Sequence, residues 1–294
     1  MRLFSPLRAI LAVVTSVALI AGLASCSQND DNVTLLDAIR DGHVTIGSKF
    51  DEPGLGQRTP DKEHVGLDND VARAIVAHIA RKEGLPEPKI TFRETPPAQR
   101  ETFINNGEVQ MVVATYSINA GRMKSIEFAG PYIHTHQALL VRKDAGIRGL
   151  DDIKPGTKLC SVSGSTPAQK VKQALPDVQL QEFDTYSSCA EGVHRGVVDA
   201  LTTDATILAG YSQRYPGELN LVQLKNPDGS YWTDEYYGIG LGKGRDADLN
   251  AVNDAIRAIQ RNGEFTDMVH KHLGKDFPLD DAPTLGDFSF VEAK

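Results

Sequence analysis

The sequence lacks an excess of basic residues: 31 Lys and Arg stand against 39 Asp and Glu, and the formal net charge is −8. Binding to nucleic acid depends on clustered Lys and Arg at the phosphates, so we expect no nucleic-acid partner. Low-complexity segments, short-period repeats and coiled-coil heptads are also absent from the sequence. What remains is an ordinary globular composition, in a chain of 294 residues that is long enough for two modest lobes.

Motifs for metal, nucleotide or nucleophile chemistry are missing as well. The three cysteines form no Cys-x-x-Cys pair of the kind that zinc sites use, and no Gly-x-x-x-x-Gly-Lys-Ser/Thr string is present. Ser161-Val-Ser-Gly-Ser165 lacks the leading glycine of a nucleophile elbow. The pairs His134-x-His136 and His270-x-His272 are more typical of surface residues than of metal ligands. We therefore expect no metal, no cofactor and no catalytic residue.

The amino terminus carries the longest apolar run of the chain, from Ile10 to Leu23, preceded by Arg2 and Arg8. The run is free of charge but shorter than a comfortable membrane span, which is typical of an export signal. We predict a signal peptide over residues 1–25.

Cys26 follows this run in the string Leu23-Ala-Ser-Cys26, which resembles the lipobox of bacterial lipoproteins. In that pathway the cysteine is diacylated and becomes the first residue of the mature chain. An export signal with an incidental cysteine is the alternative. We predict lipidation of Cys26, a solvated tether over residues 26–33, and anchoring to the outer face of the cell membrane.

Cys160 and Cys189 are left as an even pair if Cys26 carries lipid. Oxidising conditions outside the cytoplasm favour a disulfide between such a pair. The chain-entropy model gives roughly 3 to 4 kcal/mol of stabilisation for a loop of this length.

Apolar periodicity predicts two successive alternations of strands and helices, which are typical of two βαβαβ lobes in an α/β protein. The first alternation comprises helix 34–40, strand 43–48, helix 68–83, strand 89–93, helix 96–106 and strand 109–114. The second comprises strand 157–161, helix 167–175, strand 178–182, helix 187–194 and strand 197–202. A strand at 236–241 and helices at 247–260 and 265–272 follow, and the last residues are expected to form a loosely packed tail.

The end of strand 109–114 carries the hydroxyls of Thr115 and Ser117, and Arg122 follows five residues later. A planar guanidinium beside hydroxyls is suited to a carboxylate, because a bidentate pair fixes its orientation as well as its charge. A turn with solvated Ser and Arg side chains is the alternative.

A second anion site is predicted where Ser161-Val-Ser-Gly-Ser-Thr-Pro167 connects a strand to a helix. Ser165 and Thr166 precede a proline at the first helical position, and free amides at a helix amino terminus favour an anion. Simple capping of the helix by one hydroxyl is the alternative.

The pattern Thr-x-Ser-x-x-x-x-Arg from Thr115, followed by Phe-x-x-Pro-Tyr ending at Tyr132, resembles the signature of the amino-acid-binding proteins of bacterial ABC importers, family 3 of the extracellular solute-binding proteins. Within the family, the sequence most resembles those of the glutamate-binding lipoproteins of actinobacteria. Matching strings occur at 97–102, 160–170 and 202–208, and the resemblance covers about residues 35 to 273.

The resemblance implies a two-lobed periplasmic-binding-protein-like (type II) fold with a hinge and an interlobe ligand cleft. Lobe 1 would comprise 34–135 and 237–280, lobe 2 would comprise 136–236, and a C-terminal tail would cover 281–294.

The resemblance also implies how an amino acid would be held. Asp204 would pair with the α-ammonium group, while Arg122, Ser117 and the amides around Ser165 and Thr166 would hold the α-carboxylate. By itself, Asp204 at the end of a strand is more often a helix cap.

Lys49 and Arg100 match positions that members specific for acidic amino acids use for the distal carboxylate, and Thr115 and Tyr186 are lesser candidates for that end. Ordinary exposed cations are the alternative for Lys49 and Arg100. Many members carry Pro-Pro-Phe after the first strand, with aromatic rings packed on the ligand, whereas this sequence has Phe50-Asp-Glu-Pro-Gly-Leu-Gly56. This departure from the family pattern leaves open whether an aromatic lid covers the ligand.

The function implied is a monomeric, lipid-anchored receptor that closes on L-glutamate, or a related acidic amino acid, and presents it to ABC permease subunits in the membrane. Two alternatives share the fold: an exported dehydratase acting on cyclohexadienyl amino acids, and a sensor that reports amino-acid binding to a membrane kinase.

Overall fold

The structure is a computed structural model that describes residues 32–279 and 284–292. The predicted export signal and Cys26 lie outside the described residues. Within the described ranges, no helix is both long enough and apolar enough to cross a membrane.

Two five-stranded sheets form the framework. The strands are β1 His43–Ser48, β2 Asp51–Glu52, β3 Gly56–Arg58, β4 His64–Val65, β5 Lys89–Glu94, β6 Met111–Val112, β7 Glu127–Thr135, β8 Gln137–Arg142, β9 Lys158–Val162, β10 Gln179–Phe183, β11 Ala200–Asp204, β12 Leu219–Gln223 and β13 Glu235–Leu241. The first sheet has the order β5-β1-β6-β13-β7 and the second has the order β10-β9-β11-β8-β12. We call these sheets, with the helices that pack on them, lobe 1 and lobe 2.

The helices of the described residues are α1 Leu35–Arg40, α2 Leu67–Lys82, α3 Arg100–Asn105, α4 Ala120–Met123, α5 Thr166–Ala174, α6 Tyr186–His194, α7 Ala205–Arg214, α8 Asp246–Arg261, α9 Glu264–Leu273 and α10 Ser289–Glu292. Helix α2 shows why they form. Its apolar residues recur every three or four positions, and Val71, Ile75 and Ile79 are buried against the first sheet. Each such aliphatic side chain contributes about 1.5 to 3 kcal/mol when it is fully buried.

The two lobes repeat one plan. In lobe 1, β1 pairs in parallel with β5 and β6, and in lobe 2, β9 pairs in parallel with β10 and β11. Each sheet is completed by antiparallel strands: β13 and β7 in lobe 1, β8 and β12 in lobe 2. The prediction of two βαβαβ lobes is therefore confirmed.

The chain crosses between the lobes twice. It leaves lobe 1 between Thr135, the end of β7, and Gln137, the start of β8, and it returns to the first sheet at Glu235, where β13 begins. Both crossings lie beside the same edge of the molecule, since Glu235 pairs with Thr135 in the first sheet. These two connections are the hinge.

A disulfide joins Cys160 on β9 to Cys189 on α6, with Cα atoms 5.9 Å apart, which confirms the predicted bridge. Both half-cystines are buried in lobe 2. The bridge therefore ties a central strand to the helix that covers it.

The carboxyl-terminal segment is packed against lobe 1. The Phe290 ring lies 4.1 Å from that of Tyr236, Phe288 packs against the apolar cluster around Ile118, and the Gly286 N–H donates to the Gly130 carbonyl at 2.8 Å. These contacts correct the expectation of a loosely packed tail for residues 284–291.

Candidate functional site

The cleft lies where the carboxyl ends of the parallel strands of the two lobes meet, which is where open α/β sheets bind ligands. The lobes are in direct contact across it. The Tyr211 hydroxyl of lobe 2 donates to the Asp51 carbonyl of lobe 1 at 2.6 Å, and the Ser187 N–H donates to Asp51 Oδ2 at 3.1 Å. Asn119 Nδ2 of lobe 1 donates to Thr166 Oγ1 of lobe 2 at 3.1 Å.

Arg122 lies on α4, with its guanidinium between the two lobes. Its Nη1 donates to the Ser117 carbonyl at 2.7 Å, its Nη2 donates to the Gly164 carbonyl of lobe 2 at 3.4 Å, and its Nε lies 3.3 Å from Glu101 Oε1. These contacts engage three of the five N–H groups that a guanidinium carries. Burial, together with the like charge of Arg100, lowers the pKa of Arg122. A carboxylate placed here would meet a fixed, dehydrated cation.

Thr115 and Ser117 follow β6 and are both buried. Thr115 has a φ of 45°, an uncommon value for a residue with a branched side chain, and this conformation directs its N–H to Asp68 Oδ2 at 2.7 Å. The Tyr132 hydroxyl donates to the other oxygen of Asp68 at 2.8 Å. Asp68 therefore fixes the loop that carries both hydroxyls.

Ser165 and Thr166 open α5, as predicted. Ser165 is the N-cap, because its Oγ accepts from the Ala168 N–H at 3.2 Å, and its hydroxyl also lies 3.3 Å from that of Ser161. Thr166 contacts Asn119 across the cleft. The capping alternative is thus correct for the Ser165 side chain, while the amino terminus of the helix still faces the cleft beside Arg122.

Asp204 ends β11 and is buried, and its side chain makes no capping hydrogen bond to α7. The Tyr237 hydroxyl donates to Oδ2 at 2.7 Å. Oδ1 is buried and accepts no hydrogen bond from the residues that the structure describes. Burial, with the nearby charge of Glu235, raises the pKa of Asp204 to about 7. An incoming N–H donor would satisfy the free oxygen and restore the charge.

Arg100 is the first residue of α3 and is 2% exposed. Its Nε donates to the Thr95 carbonyl at 3.2 Å, and its guanidinium carbon lies 4.9 Å from the centre of the Tyr116 ring. Within residues 32–279 and 284–292, no carboxylate lies within salt-bridge distance of this guanidinium. Arg100 is therefore a buried cation that lacks a carboxylate of the described chain.

Lys49 is fully buried, but the protein itself supplies its partners. Its Nζ lies 2.9 Å from Asp51 Oδ1 and 3.2 Å from Glu94 Oε1. Burial would lower the pKa of Lys49, but the charges of Asp51, Glu52 and Glu94 outweigh burial, so the pKa is raised. The alternative of an exposed cation is therefore excluded for Lys49. Carboxylates of the chain already neutralise Lys49, whereas the described residues supply no such partner for Arg100.

Tyr186 is buried at the start of α6. Burial raises its pKa, and the charges of Asp204 and Glu52 act in the same direction. Its hydroxyl is therefore a neutral hydrogen-bonding group among the charged residues of the cleft.

Glu52 is a cleft residue that the sequence analysis missed. It is fully buried in β2, and neither carboxylate oxygen has a hydrogen-bond partner among the described residues. Burial raises the pKa of Glu52 well above its ordinary value, although the charges of Lys49 and Arg100 oppose this shift. A single acidic residue carries no sequence pattern that would have identified it.

The loop 50–56 provides no aromatic cover for the cleft. The Phe50 ring lies 4.6 Å from the ring of His64, within lobe 1, and it is Asp51 and Pro53 that contact lobe 2. The loop thus presents acidic groups where an aromatic lid would lie.

A cavity of about 690 Å³ opens beside Arg122 and extends to the hinge. It is lined by both lobes and by the carboxyl-terminal segment, including Thr166, Glu235, Tyr236 and Phe290. Lys170 of α5 forms an ion pair with Glu235 of β13 at this cavity. A small molecule therefore has a route from solvent to Arg122.

Comparisons with known proteins show the family and the fold of the chain. The sequence model of the bacterial extracellular solute-binding proteins, family 3, matches residues 44–275. The chain is 51% identical over 285 residues to the glutamate-binding protein GluB of Corynebacterium efficiens, covering 96% of this chain and 97% of that protein. It is also 51% identical over 293 residues to GluB of Corynebacterium glutamicum, covering 99% and 98%. A solved solute receptor for L-cysteine from Neisseria gonorrhoeae superposes with a TM-score of 0.74 at 22% identity, over 86% of this chain and all of that one, which shows a shared fold.

Proposed function

Since the chain belongs to family 3 of the bacterial extracellular solute-binding proteins, we propose that it captures L-glutamate in the interlobe cleft and delivers it to the membrane permease of an ABC importer. The observation that carries the proposal is the set of buried charges around the cleft. Arg122 and Arg100 supply two guanidinium groups, and Asp204 supplies a carboxylate with one free oxygen. Glutamate carries the complementary set, with two carboxylates and one ammonium group.

The amino-acid end of the ligand is assigned to Arg122 and Asp204. Arg122, with the Ser117 hydroxyl and the amides at Ser165 and Thr166, holds the α-carboxylate, and Asp204 Oδ1 accepts from the α-ammonium group. A zwitterion loses its hydration when the cleft closes, so each charge needs a buried partner of opposite sign.

The distal carboxylate is assigned to Arg100. Lys49 is a supporting charge, because Asp51 and Glu94 already occupy its ammonium group. Thr115 and Tyr186 are neutral groups at this end. A glutamine side chain would leave the Arg100 charge without a partner in a closed cleft, and this cost is the basis of the preference for an acidic ligand.

Closure joins capture to delivery. Asp51 and Pro53 of lobe 1 contact α6 and α7 of lobe 2 only when the lobes are together. The joined outer surface of both lobes is what a permease would recognise, and a separated pair would not present it.

The protein acts outside the cytoplasm, as its family does. We further propose lipidation at Cys26 after removal of residues 1–25, a tether over 26–33, and action as a monomer. The expected lobe boundaries, 34–135 with 237–280 and 136–236, are proposed with one change, because Glu235 and Tyr236 pair with β7 and belong to lobe 1. Residues 281–294 are proposed as the tail.

Isothermal titration of the purified protein with each of the twenty amino acids tests the proposal. Glutamate should bind most tightly, and mass spectrometry should recover it unchanged after incubation. If glutamate does not bind, or if a basic amino acid binds most tightly, the proposal is overturned.

A further inference from the structure

Glu52 lies at the contact between the lobes. Its neighbours on both sides touch lobe 2: Asp51 accepts from Tyr211, and Pro53 faces Gly210 so closely that a Cβ atom on Gly210 would lie 2.2 Å from the Pro53 carbonyl oxygen. The Glu52 side chain between them is fully buried. When the lobes separate, this segment loses those contacts and becomes open to water.

The carboxyl group of Glu52 has no hydrogen-bond donor within residues 32–279 and 284–292. Neither oxygen accepts a hydrogen bond from the part of the chain that the structure describes. Lys49, whose charge acts on Glu52, forms its ion pairs with Asp51 and Glu94 instead. An ionised carboxylate buried without a partner is costly, so such a group takes up a proton instead.

Charged and titratable groups surround Glu52 from several elements. They are Lys49 and Asp51 beside it, Asp68 on α2, Arg100 on α3, Tyr132 on β7, Tyr186 on α6, Tyr211 on α7 and Tyr237 on β13. The two cations favour the ionised form of Glu52, whereas Asp51 and Asp68 disfavour it. Burial outweighs the cations, so the pKa of Glu52 remains well above its ordinary value.

We propose that Glu52 is a specificity-determining residue that contacts the side-chain end of the bound amino acid as an un-ionised carboxyl, so that an acidic ligand is captured together with one proton. This inference rests on the proposed function. The proton comes from solvent as the cleft closes, binds one Glu52 oxygen, and returns to solvent on opening. In the closed form the Glu52 O–H donates to the distal carboxylate of the ligand, next to Arg100.

The consequence is that ligand preference depends on pH. Ionised Glu52 would repel a distal carboxylate, whereas it would accept a hydrogen bond from the amide of glutamine. Uptake of one proton on binding weakens glutamate affinity by about tenfold for each unit of rising pH, as long as the free protein has Glu52 ionised. Glutamine affinity should change less over the same range.

Calorimetry in two buffers of different ionisation enthalpy measures the protons bound. A pH of about 8 is suitable, since Asp204, with a pKa of about 7, is then already mostly ionised and contributes little. Wild-type protein should take up about one proton with glutamate. Glu52→Gln should take up almost none and should keep or improve glutamate affinity at this pH.

Glu63→Gln is the matched control, because Glu63 is an exposed acid between β3 and β4 and is not one of the ion-pair partners of Lys49. It should leave the proton count at the wild-type value. The inference is overturned if wild-type protein binds glutamate without proton uptake, a result that depends on no variant, or if Glu52→Gln takes up as many protons as wild type. Absence of glutamate binding in a thermal-shift assay would instead refute the proposed function, so the two failures are distinguishable.

Discussion

Replacing Arg100 by Gln removes the buried cation that lacks a carboxylate of the described chain. Gln still reaches toward the Thr95 carbonyl, so the change is chiefly one of charge. In the complex with glutamate, the distal carboxylate would lose its partner inside a closed cleft. Truncating one member of such a buried charge pair costs about 2 to 5 kcal/mol, which corresponds to an increase in Kd of roughly 30- to 5,000-fold.

The same substitution should affect glutamine in the opposite way. Its amide gains nothing from a guanidinium that must give up its hydration, so glutamine affinity should stay level or improve. The ligand-free protein should be as stable as the parent or more stable, because a buried charge without a carboxylate partner disfavours the folded state. Titration calorimetry with both ligands and urea unfolding of the free protein measure these effects.

Arg93→Gln is the matched control. Arg93 lies on β5 with 41% of its side chain exposed and pairs with Glu108, so its loss should change neither affinity, since exposed pairs contribute about 0 to 1 kcal/mol. If Arg100→Gln keeps the parent's glutamate affinity and its preference over glutamine, the assignment of the distal carboxylate to Arg100 is refuted.

Three further substitutions test the rest of the site and the fold. Asp204→Asn should abolish amino-acid binding, yet it should stabilise the ligand-free protein at about pH 8 and not at about pH 4. The pKa of about 7 in the folded protein exceeds the ordinary value, so the contribution of Asp204 to the free energy of unfolding falls as pH rises through this window. Urea unfolding at both pH values will measure the difference. Gly210→Ala should lower the affinity for every ligand by about tenfold or more, because the added Cβ would collide with the Pro53 carbonyl and disfavour closure. Titration calorimetry will measure this loss of affinity. Replacing Cys160 and Cys189 by Ser should lower the free energy of unfolding by roughly 3 to 4 kcal/mol, given a separation of 29 residues, in denaturant titrations.

Each of these has its own control. Asp144→Asn changes an acid that is 88% exposed and should leave both binding and the pH dependence of stability as they are. Gly192→Ala places a Cβ 3.4 Å from Val198 within lobe 2 and should not affect closure. Reductant should destabilise the parent but not the double Ser variant. The argument for Asp204 is contradicted if Asp204→Asn and the parent are equally stable at the higher pH. The argument for closure is contradicted if Gly210→Ala binds with normal affinity, and the argument for the disulfide is contradicted if the double Ser variant is as stable as the parent.

Much of the lobe framework was predictable because buried strands and helices leave a periodic pattern. Strand β1 occupies the predicted residues 43–48, and α2 differs from its predicted range by one residue at each end. Strand β6 is shorter than expected: of the predicted 109–114, only Met111–Val112 is strand, because the chain turns into the Thr115 loop that Asp68 holds. The small sheet of β2, β3 and β4 escaped prediction, since strands of two or three residues are too short to show alternation.

The site was predictable only where a pattern identified it. Arg122 and Asp204 belong to strings shared with the family, and the structure brings both to the cleft. The state of Lys49 was not predictable, because its partners, Asp51 and Glu94, lie on β2 and β5, and the pairing with Glu94 depends on strand order. Glu52 required knowledge of burial, which no single acidic residue in a loop reveals.

These charges also explain why closure should depend on a ligand. Bringing the lobes together dehydrates Arg100 and Asp204, and the described residues leave each of them at least partly without a partner. Closure gains hydrogen bonds between the lobes, such as Tyr211 to the Asp51 carbonyl and Asn119 to Thr166. These are bonds between neutral groups, and each contributes only about 0.5 to 1.5 kcal/mol. The cost of burying the cleft charges exceeds this gain unless a ligand supplies the missing counter-charges. A ligand that pairs with them binds the closed form better than the open form, and only such differential affinity can shift the population. Closure would then report occupancy by an acidic amino acid, which is what a permease must distinguish.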